Sequence, residues 1–400
     1  MQANSTSLPG IRSYPAGRVL SLDALRGFDM IWVLGLDEFL NVLRKNYPNA
    51  LTRFLAAQVN HANWAGLTPY DLIYPLFVFI VGVSLVFSLS KIMQTQGRTA
   101  AVRRVITRSV LLYLFGLLYY GGLSKTIGDI RLLGVLQRIA LCYLFAGLAF
   151  IFLRRPRPEP QTRRSPRTSF LDGEWFAASR WLILVLVALL VSYWALMTFV
   201  PVPGVGAGNY AEGKNLANYI DKKYLPLYKW DGDHDPEGLL STLPAIGTCL
   251  MGVLAGMLLK QDSIVPQKKA LWLAGAGLAA LMVGYLWGLQ FPIIKKIWTS
   301  SYVLVAGGYS LLLLALFYQL IDVWRWQKWA MPFVWVGTNA ITLYLAVNFV
   351  DFKYLSSLLV GGPVEHALGR AGEVVLVGVA ILLVWLLGHF LYRRKIFVRL

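Results

Sequence analysis

The sequence predicts an all-α polytopic membrane protein of about ten transmembrane helices with both termini in the cytoplasm. Three observations carry that expectation. Of the 400 residues, 57% are apolar and 14% charged, where soluble domains carry about a quarter charged residues. Mean hydropathy is +0.56. The apolar residues gather into runs of the roughly 20 that a helix needs to cross a bilayer core.

Taken in order, residues 1–18 form a polar tail with Pro9 and Pro15 and no apolar h-region. No cleavable signal peptide is expected there, so the first helix serves as its own signal. The Asn4-Ser5-Thr6 sequon reads as a chance match on a cytoplasmic tail. Apolar spans follow at 19–41, 69–91, 104–122, 132–153, 180–200, 239–259, 270–290, 299–323, 329–350 and 371–392. Segment 351–370 is intermediate and suits a short re-entrant or interfacial piece. The longest connections are a Pro- and Arg-rich linker at 154–179 and an outer loop at 201–238. Neither is long enough to fold alone, so residues 19–400 are expected to form a single transmembrane domain. Cys142 and Cys249 both fall inside apolar spans and supply no metal-ligand spacing or disulfide framework.

The formal charge of +18 raises the question of a nucleic-acid partner. The basic residues stand in short loops between apolar spans, where the positive-inside bias and anionic lipid headgroups account for them. No nucleic-acid partner is expected; membrane lipids are. With the amino terminus inside, 23 Lys and Arg fall in inner loops and 13 in outer ones. That bias sends "NHANWAGLTPYDLIYPLFVFIVG" (Asn60 to Gly82) outward at its polar end, together with the acidic "KWDGDHDPEG" (Lys229 to Gly238).

An ionisable residue inside the membrane costs about 2.5–3.5 kcal/mol on insertion scales, so each one calls for a reason. In "LSLDALRGFDMIWVLGLDEF", Asp23 and Arg26 are three apart and share a helix face. They read either as a structural ion pair or as the start of an anionic cofactor site, since guanidinium matches phosphate. Gly27 allows a helix or a ligand close to the backbone. Asp37 lies about 21 Å further along the same span. In "GVLQRIALCY", Gln137 and Arg138 sit in the outer half of their span. Arg138 needs a carboxylate or an anionic ligand, with Asp37, Asp71 and Asp129 as candidates. His61 lies beside Trp64, while Thr68, Pro69 and Asp71 begin a helix by capping and dipole complementarity. Interface anchoring explains Trp64 and the helix start but not His61. His234, His366 and His389 read as structural.

In order along the chain stand "SLDALRG", "NHANWAGLTPYDLIYPLFVFIVG", "GVLQRIALCY", "VPVPGVGAGNY", "HDPEGLLSTLPAIGTCLMGVLAG", "WTSSYVLVAGGYS", "GTNAITLYL" and "LYRRKIFVRL". Together they resemble the membrane domain of the heparan-α-glucosaminide N-acetyltransferase family. The likeness includes bacterial relatives labelled putative N-acetylglucosamine transporters, and runs from about Arg18 to Leu400. It leaves the animal enzyme's amino-terminal luminal domain and first membrane helix without a counterpart.

The resemblance implies an acetyl-CoA-dependent transfer to a glucosamine-type amine across the membrane, in a multi-pass protein of the bacterial inner membrane. The family's active-site histidine falls on His61. An asparagine implicated in catalysis in the animal enzyme falls on Asp37, where a carboxylate can act as a base or orient the amine. On this reading His61, Asp37 and Asp71 are catalytic, with His61 as general base and a carboxylate orienting it. Arg26, Gly27, Gln137, Arg138 and Asn339 are expected to hold the acetyl-CoA co-substrate in a slot that Gly82 also lines, with Arg103, Arg104 and Lys395 near its phosphates. Trp64, Asp235 and Glu237 are expected to meet the sugar. No metal is expected. The oligomeric state, a homodimer among the options, is open. A proton-coupled amino-sugar transporter is the rival function, and a purely structural membrane protein the third.

Overall fold

The computed structural model describes residues 19–153 and 174–397. Among them the regular structure is helical, with three isolated β-bridges and no strand. The helices are α1 (Leu20–Ile31), α2 (Asp37–Asn46), α3 (Ala50–Gln58), α4 (Ile73–Tyr119), α5 (Val135–Leu153), α6 (Glu174–Phe199) and α7 (Leu216–Tyr224). They continue as α8 (Thr242–Leu259), α9 (Pro266–Gly288), α10 (Ser300–Phe317), α11 (Met331–Gly337), α12 (Ala340–Phe349), α13 (Phe352–Val360), α14 (Pro363–Leu368) and α15 (Gly372–Arg393). The tail at 1–18 and most of the basic linker lie outside the described residues.

By length and apolarity, seven helices among the described residues can cross a membrane, or up to eight if the bent pair at 328–349 is one span. The spans expected at 69–91 and 104–122 both fall within α4, which is interrupted at Gly97 (φ 85°, ψ 178°). Packing gives the shape of that interruption. A side-chain carbon on Gly147 of α5 would stand 3.0 Å from Val105 Cγ2 and 3.4 Å from Leu85 Cδ1. Twenty residues of straight helix would part Leu85 and Val105 by about 30 Å. The chain therefore folds back at Gly97, and α4 is a helical hairpin. The first expected span is also interrupted: α1 and α2 are joined through a π-helical stretch, Trp32–Leu36, where Gly35 has φ 119°. The region expected to be re-entrant, 351–370, holds α13 and α14. The sharp break lies earlier, a 59° bend between α11 and α12.

Helix α8 is the centre, with 89% of its most apolar stretch buried, against 22% for α9 and α15. Its near-continuous apolar sequence follows from that position, since a helix covered on every side needs no polar face. Close approach is achieved with glycine. Gly82 of α4 lies against the Cys249 carbonyl of α8, and Gly252 of α8 lies against the Phe79 carbonyl of α4. Gly27 and Gly337 make the same reciprocal contact between α1 and α11, with the Phe333 and Asp23 carbonyls. Gly27 and Gly82, expected to line a cofactor slot, are thus filled in by neighbouring backbone.

A methyl group at residue 82 would overlap the Cys249 carbonyl. Gly82→Ala is expected to cost about 1–3 kcal/mol as α4 and α8 are forced apart. Both cysteines are free and buried, so a thiol-reactive dye reports unfolding directly. Its midpoint should fall in the variant, and an unchanged midpoint would mean the crossing is looser than described.

Candidate active site

The two ends of the bundle carry different chemistry. At one end, Arg26 of α1 bonds Asp23 Oδ1 at 3.2 Å, Ser84 Oγ at 2.7 Å and the Gly337 carbonyl at 3.3 Å. The expected Asp23–Arg26 pair is present. Asn339, buried, stands two residues beyond Gly337 at the start of α12.

At the other end, a 3-10 turn over Pro69–Leu72 opens α4, and its cap is also the site's scaffold. Asp71 is 1% exposed. Its Oδ2 accepts from the Ala62 and Thr68 backbone N–H groups and from Thr68 Oγ1, at 3.1, 3.0 and 3.0 Å. Tyr302 donates to its backbone carbonyl at 2.6 Å. The carboxylate is thereby fixed, with Oδ1 left for two further groups. His61 Nδ1 stands 2.8 Å from it and Lys295 Nζ 3.4 Å.

Lys295 Nζ is also 2.9 Å from His61 Nδ1 and 3.2 Å from Nε2. An imidazole nitrogen cannot donate to a carboxylate and accept from an ammonium at once, so the cluster has two arrangements. In the first, Nδ1–H is donated to Asp71 and Nε2 keeps its lone pair. In the second, Nδ1 accepts from Lys295 and Nε2 carries the proton. Tyr70 lies against the imidazole, with ring centres 4.7 Å apart, and donates to Asp37 Oδ2 at 3.0 Å. Asp37 therefore reaches His61 through Tyr70, while Asp71 touches it directly.

His61, Tyr70 and Lys295 stand at the mouth of a cavity of about 230 Å³. Its walls are mainly apolar, from Met30, Val33, Phe77, Leu136, Ile139 and Ile341, and it reaches Asp29. Burial lowers Lys295 from the ordinary lysine range, against the pull of Asp71 and Glu237. Burial pushes Glu237, also on the cavity wall, above the ordinary carboxylate range, while Arg138 and Arg131 oppose it.

The remaining expected residues form a network behind this mouth. Arg131 grips Asp235 through Nε at 2.8 Å and Nη2 at 2.6 Å, and reaches Glu237 Oε2 at 2.6 Å. Arg138 bonds Ser241 Oγ and lies over the Trp298 ring. Its charge acts on two carboxylates, Glu237 and Asp221, rather than through an ion pair with Asp37, Asp71 or Asp129, none of which is bonded to it among the described residues. Gln137 donates to the Arg131 carbonyl at 3.3 Å. The five residues expected as one cofactor set thus divide, with Arg26, Gly27 and Asn339 at one end and Gln137 and Arg138 at the other. Trp64 donates to the Tyr210 carbonyl at 2.9 Å, tying two loops together. Asp235 is taken up by Arg131, and of the three residues expected to meet the sugar only Glu237 lines the cavity.

Glu212, Asp231 and His234 offer ligand atoms within 4.8 Å of one another, a donor set compatible with a metal ion. Lys296 already bridges the two carboxylates, at 2.7 and 3.0 Å.

Sequence reasoning missed Lys295, Tyr70 and Asp29. Lys295 had one signal, the pair Lys295-Lys296 in a loop on the side where positive charge is scarce. Asp29 had a stronger one, as an acid in the middle of an apolar span.

Fold and site define an all-α polytopic membrane protein with a carboxylate–imidazole–ammonium cluster at the mouth of a cavity in its helical core. In sequence, the chain is similar to heparan-alpha-glucosaminide N-acetyltransferase of Mus musculus, 26% identical over 428 aligned residues covering 97% of this chain and 61% of the relative. It is also similar to the Homo sapiens protein of that name, 26% identical over 420 residues covering 95% and 59%. The resemblance to that acetyltransferase family therefore extends over nearly the whole chain, which spans about three-fifths of the length of the curated relatives it matches. No family model matches the chain.

Proposed function

We propose that this chain is a transmembrane acetyltransferase of the bacterial inner membrane. It takes an acetyl group from cytosolic acetyl-CoA and transfers it to the amine of a glucosamine-type sugar on the outer side. The observation that carries this reading is the Asp71–His61–Lys295 cluster at the mouth of a cavity that continues into the membrane core.

Acetyl-CoA supplies an activated acetyl thioester, and the residues supply the rest. Asp71 orients the imidazole so that His61 Nε2 accepts the proton released by the attacking amine. The Lys295 ammonium stands beside the imidazole, where it stabilises negative charge developing on the acyl oxygen. Tyr70, held by Asp37, packs the ring in place, which makes Asp37 a positioning residue. Glu237 is the carboxyl on the cavity wall suited to a sugar hydroxyl. Arg26, at the far end, is suited to the donor's anionic portion. Direct transfer between two bound substrates needs no acetyl-histidine step and is the simpler course.

The test uses purified protein in liposomes with acetyl-CoA and glucosamine, following CoA release and N-acetylglucosamine together. Both products should appear in equal amounts. Labelled glucosamine entering the vesicles unchanged, with no CoA released, would replace the acetyltransferase by a transporter.

The lowered pKa of Lys295 gives a pH dependence. Its ammonium is lost on raising pH sooner than an exposed lysine's, so the alkaline limb of kcat/KM falls below the ordinary lysine value. Lys295→Arg keeps its charge to higher pH, and its alkaline limb should move upward. A limb at the same pH in both proteins takes Lys295 out of the charged machinery.

A further inference from the structure

The deep end of the cavity holds a group that the chemistry at its mouth does not use. Asp29 lies on α1, one turn beyond Arg26 and before the break at Gly35 that separates it from Asp37. It is 1% exposed and lines the cavity. Neither carboxyl oxygen has a hydrogen-bond partner among the described residues. Arg26, the nearest cation along the helix, is turned to Asp23, Ser84 and the Gly337 carbonyl. A carboxyl buried in a membrane interior without a partner is costly to keep, and a ligand that supplies the partner removes that cost.

The surroundings restrict what that ligand can be. Met30, Val33, Phe77, Ile139 and Ile341 offer no hydrogen bonds from their side chains, and polar groups on this wall are few: beside Asp29 stand the Tyr74 hydroxyl, already donated to the Val135 carbonyl, and the Tyr344 hydroxyl, with Glu237 held by Arg131. A sugar, with a hydroxyl on almost every carbon, would leave most of its hydroxyls unsatisfied there. A slender chain that is mostly methylene and carries isolated amides fits, because one polar group can meet one amide. The acyl donor has such a chain, its pantetheine arm. We infer that Asp29 is a binding subsite for the donor, hydrogen-bonding an amide of the pantetheine arm as it lies along the cavity. This rests on the acetyltransferase reading for the identity of the ligand. In its neutral form the carboxyl can donate to the amide carbonyl, and in either form it can accept from the amide N–H.

The test compares wild type, Asp29→Ala and Asp29→Asn, each checked by thiol-dye melting. Steady-state kinetics use acetyl-CoA and an acetyl thioester of a simple alkanethiol, which has no amide. Equilibrium binding of CoA itself needs no turnover. Asp29→Ala should raise KM for acetyl-CoA and weaken CoA binding by on the order of tenfold, with KM for the sugar unchanged. Asp29→Asn, which keeps a donor and an acceptor, should restore both to near wild type. Wild type and the alanine variant should use the amide-free thioester alike. Turnover in wild type with CoA binding and KM unmoved in Asp29→Ala sinks the subsite alone. An asparagine variant that loses kcat with KM intact also overturns it, in favour of a proton-carrying acid. If CoA binds in an Asp29-dependent way but no sugar is acetylated, the subsite stands and the acetyltransferase reading falls.

Discussion

His61→Ala should lower the rate of acetyl transfer by on the order of a thousandfold while leaving the protein folded. A positioned base contributes about 10²–10⁴ in rate, and no other imidazole lines the cavity. Folding should survive because the His61 side chain is 53% exposed and Asp71 keeps Lys295 and its three hydrogen bonds from Ala62 and Thr68. The check is the initial rate of CoA release beside the thiol-dye melting midpoint. A rate within tenfold of wild type removes His61 from the chemistry. A midpoint that falls in step with the rate makes the residue an anchor.

Arg131→Ala should damage the fold itself. Arg131 is 4% exposed and meets two buried carboxylates, while the Tyr120 and Trp230 rings flank it with their centres 4.6 and 5.1 Å from the guanidinium carbon. Removing it leaves Asp235 and Glu237 buried with much of their compensating charge gone. Breaking a buried pair in this way costs about 3–5 kcal/mol. The melting midpoint should drop steeply, and turnover should fall with it because Glu237 is on the cavity wall. Arg131→Lys should recover only part of the loss, since an ammonium cannot reproduce the two-pronged grip on Asp235. A midpoint close to wild type in the alanine variant would mean that water or a neighbouring cation replaces the guanidinium.

The contrast between these two variants reflects what the sequence could and could not disclose. Hydropathy and length were enough to find the helical segments, because a bilayer leaves few alternatives. They could not reveal that two of those segments form one element folded back at Gly97, since that reversal depends on how α5 packs into it. That a carboxylate orients His61 was legible, with Asp37 and Asp71 both open; that it is Asp71 depends on the Thr68 cap turning its carboxylate back toward residues 61 and 62. Lys295 was not, because it arrives from 234 residues away along the chain and nothing local marks it. Arg138 shows the same limit. Its need for a carboxylate was visible, but Glu237 comes from a loop that no periodicity ties to α5. Asp29 was overlooked although the rule that flags acids within apolar spans applied to it directly.

The double use of Asp71 has a mechanical side. His61 belongs to a surface connection, the kind of segment that usually drifts and tolerates insertion. Its ring is nevertheless referenced to the first turn of α4, and through the Tyr302 hydroxyl to α10, so its coordinates are inherited from the bundle's stiff interior. The outer connections can therefore lengthen, shorten or change composition while the imidazole keeps its aim. A lineage or an engineer could remodel the loops around it without realigning the imidazole.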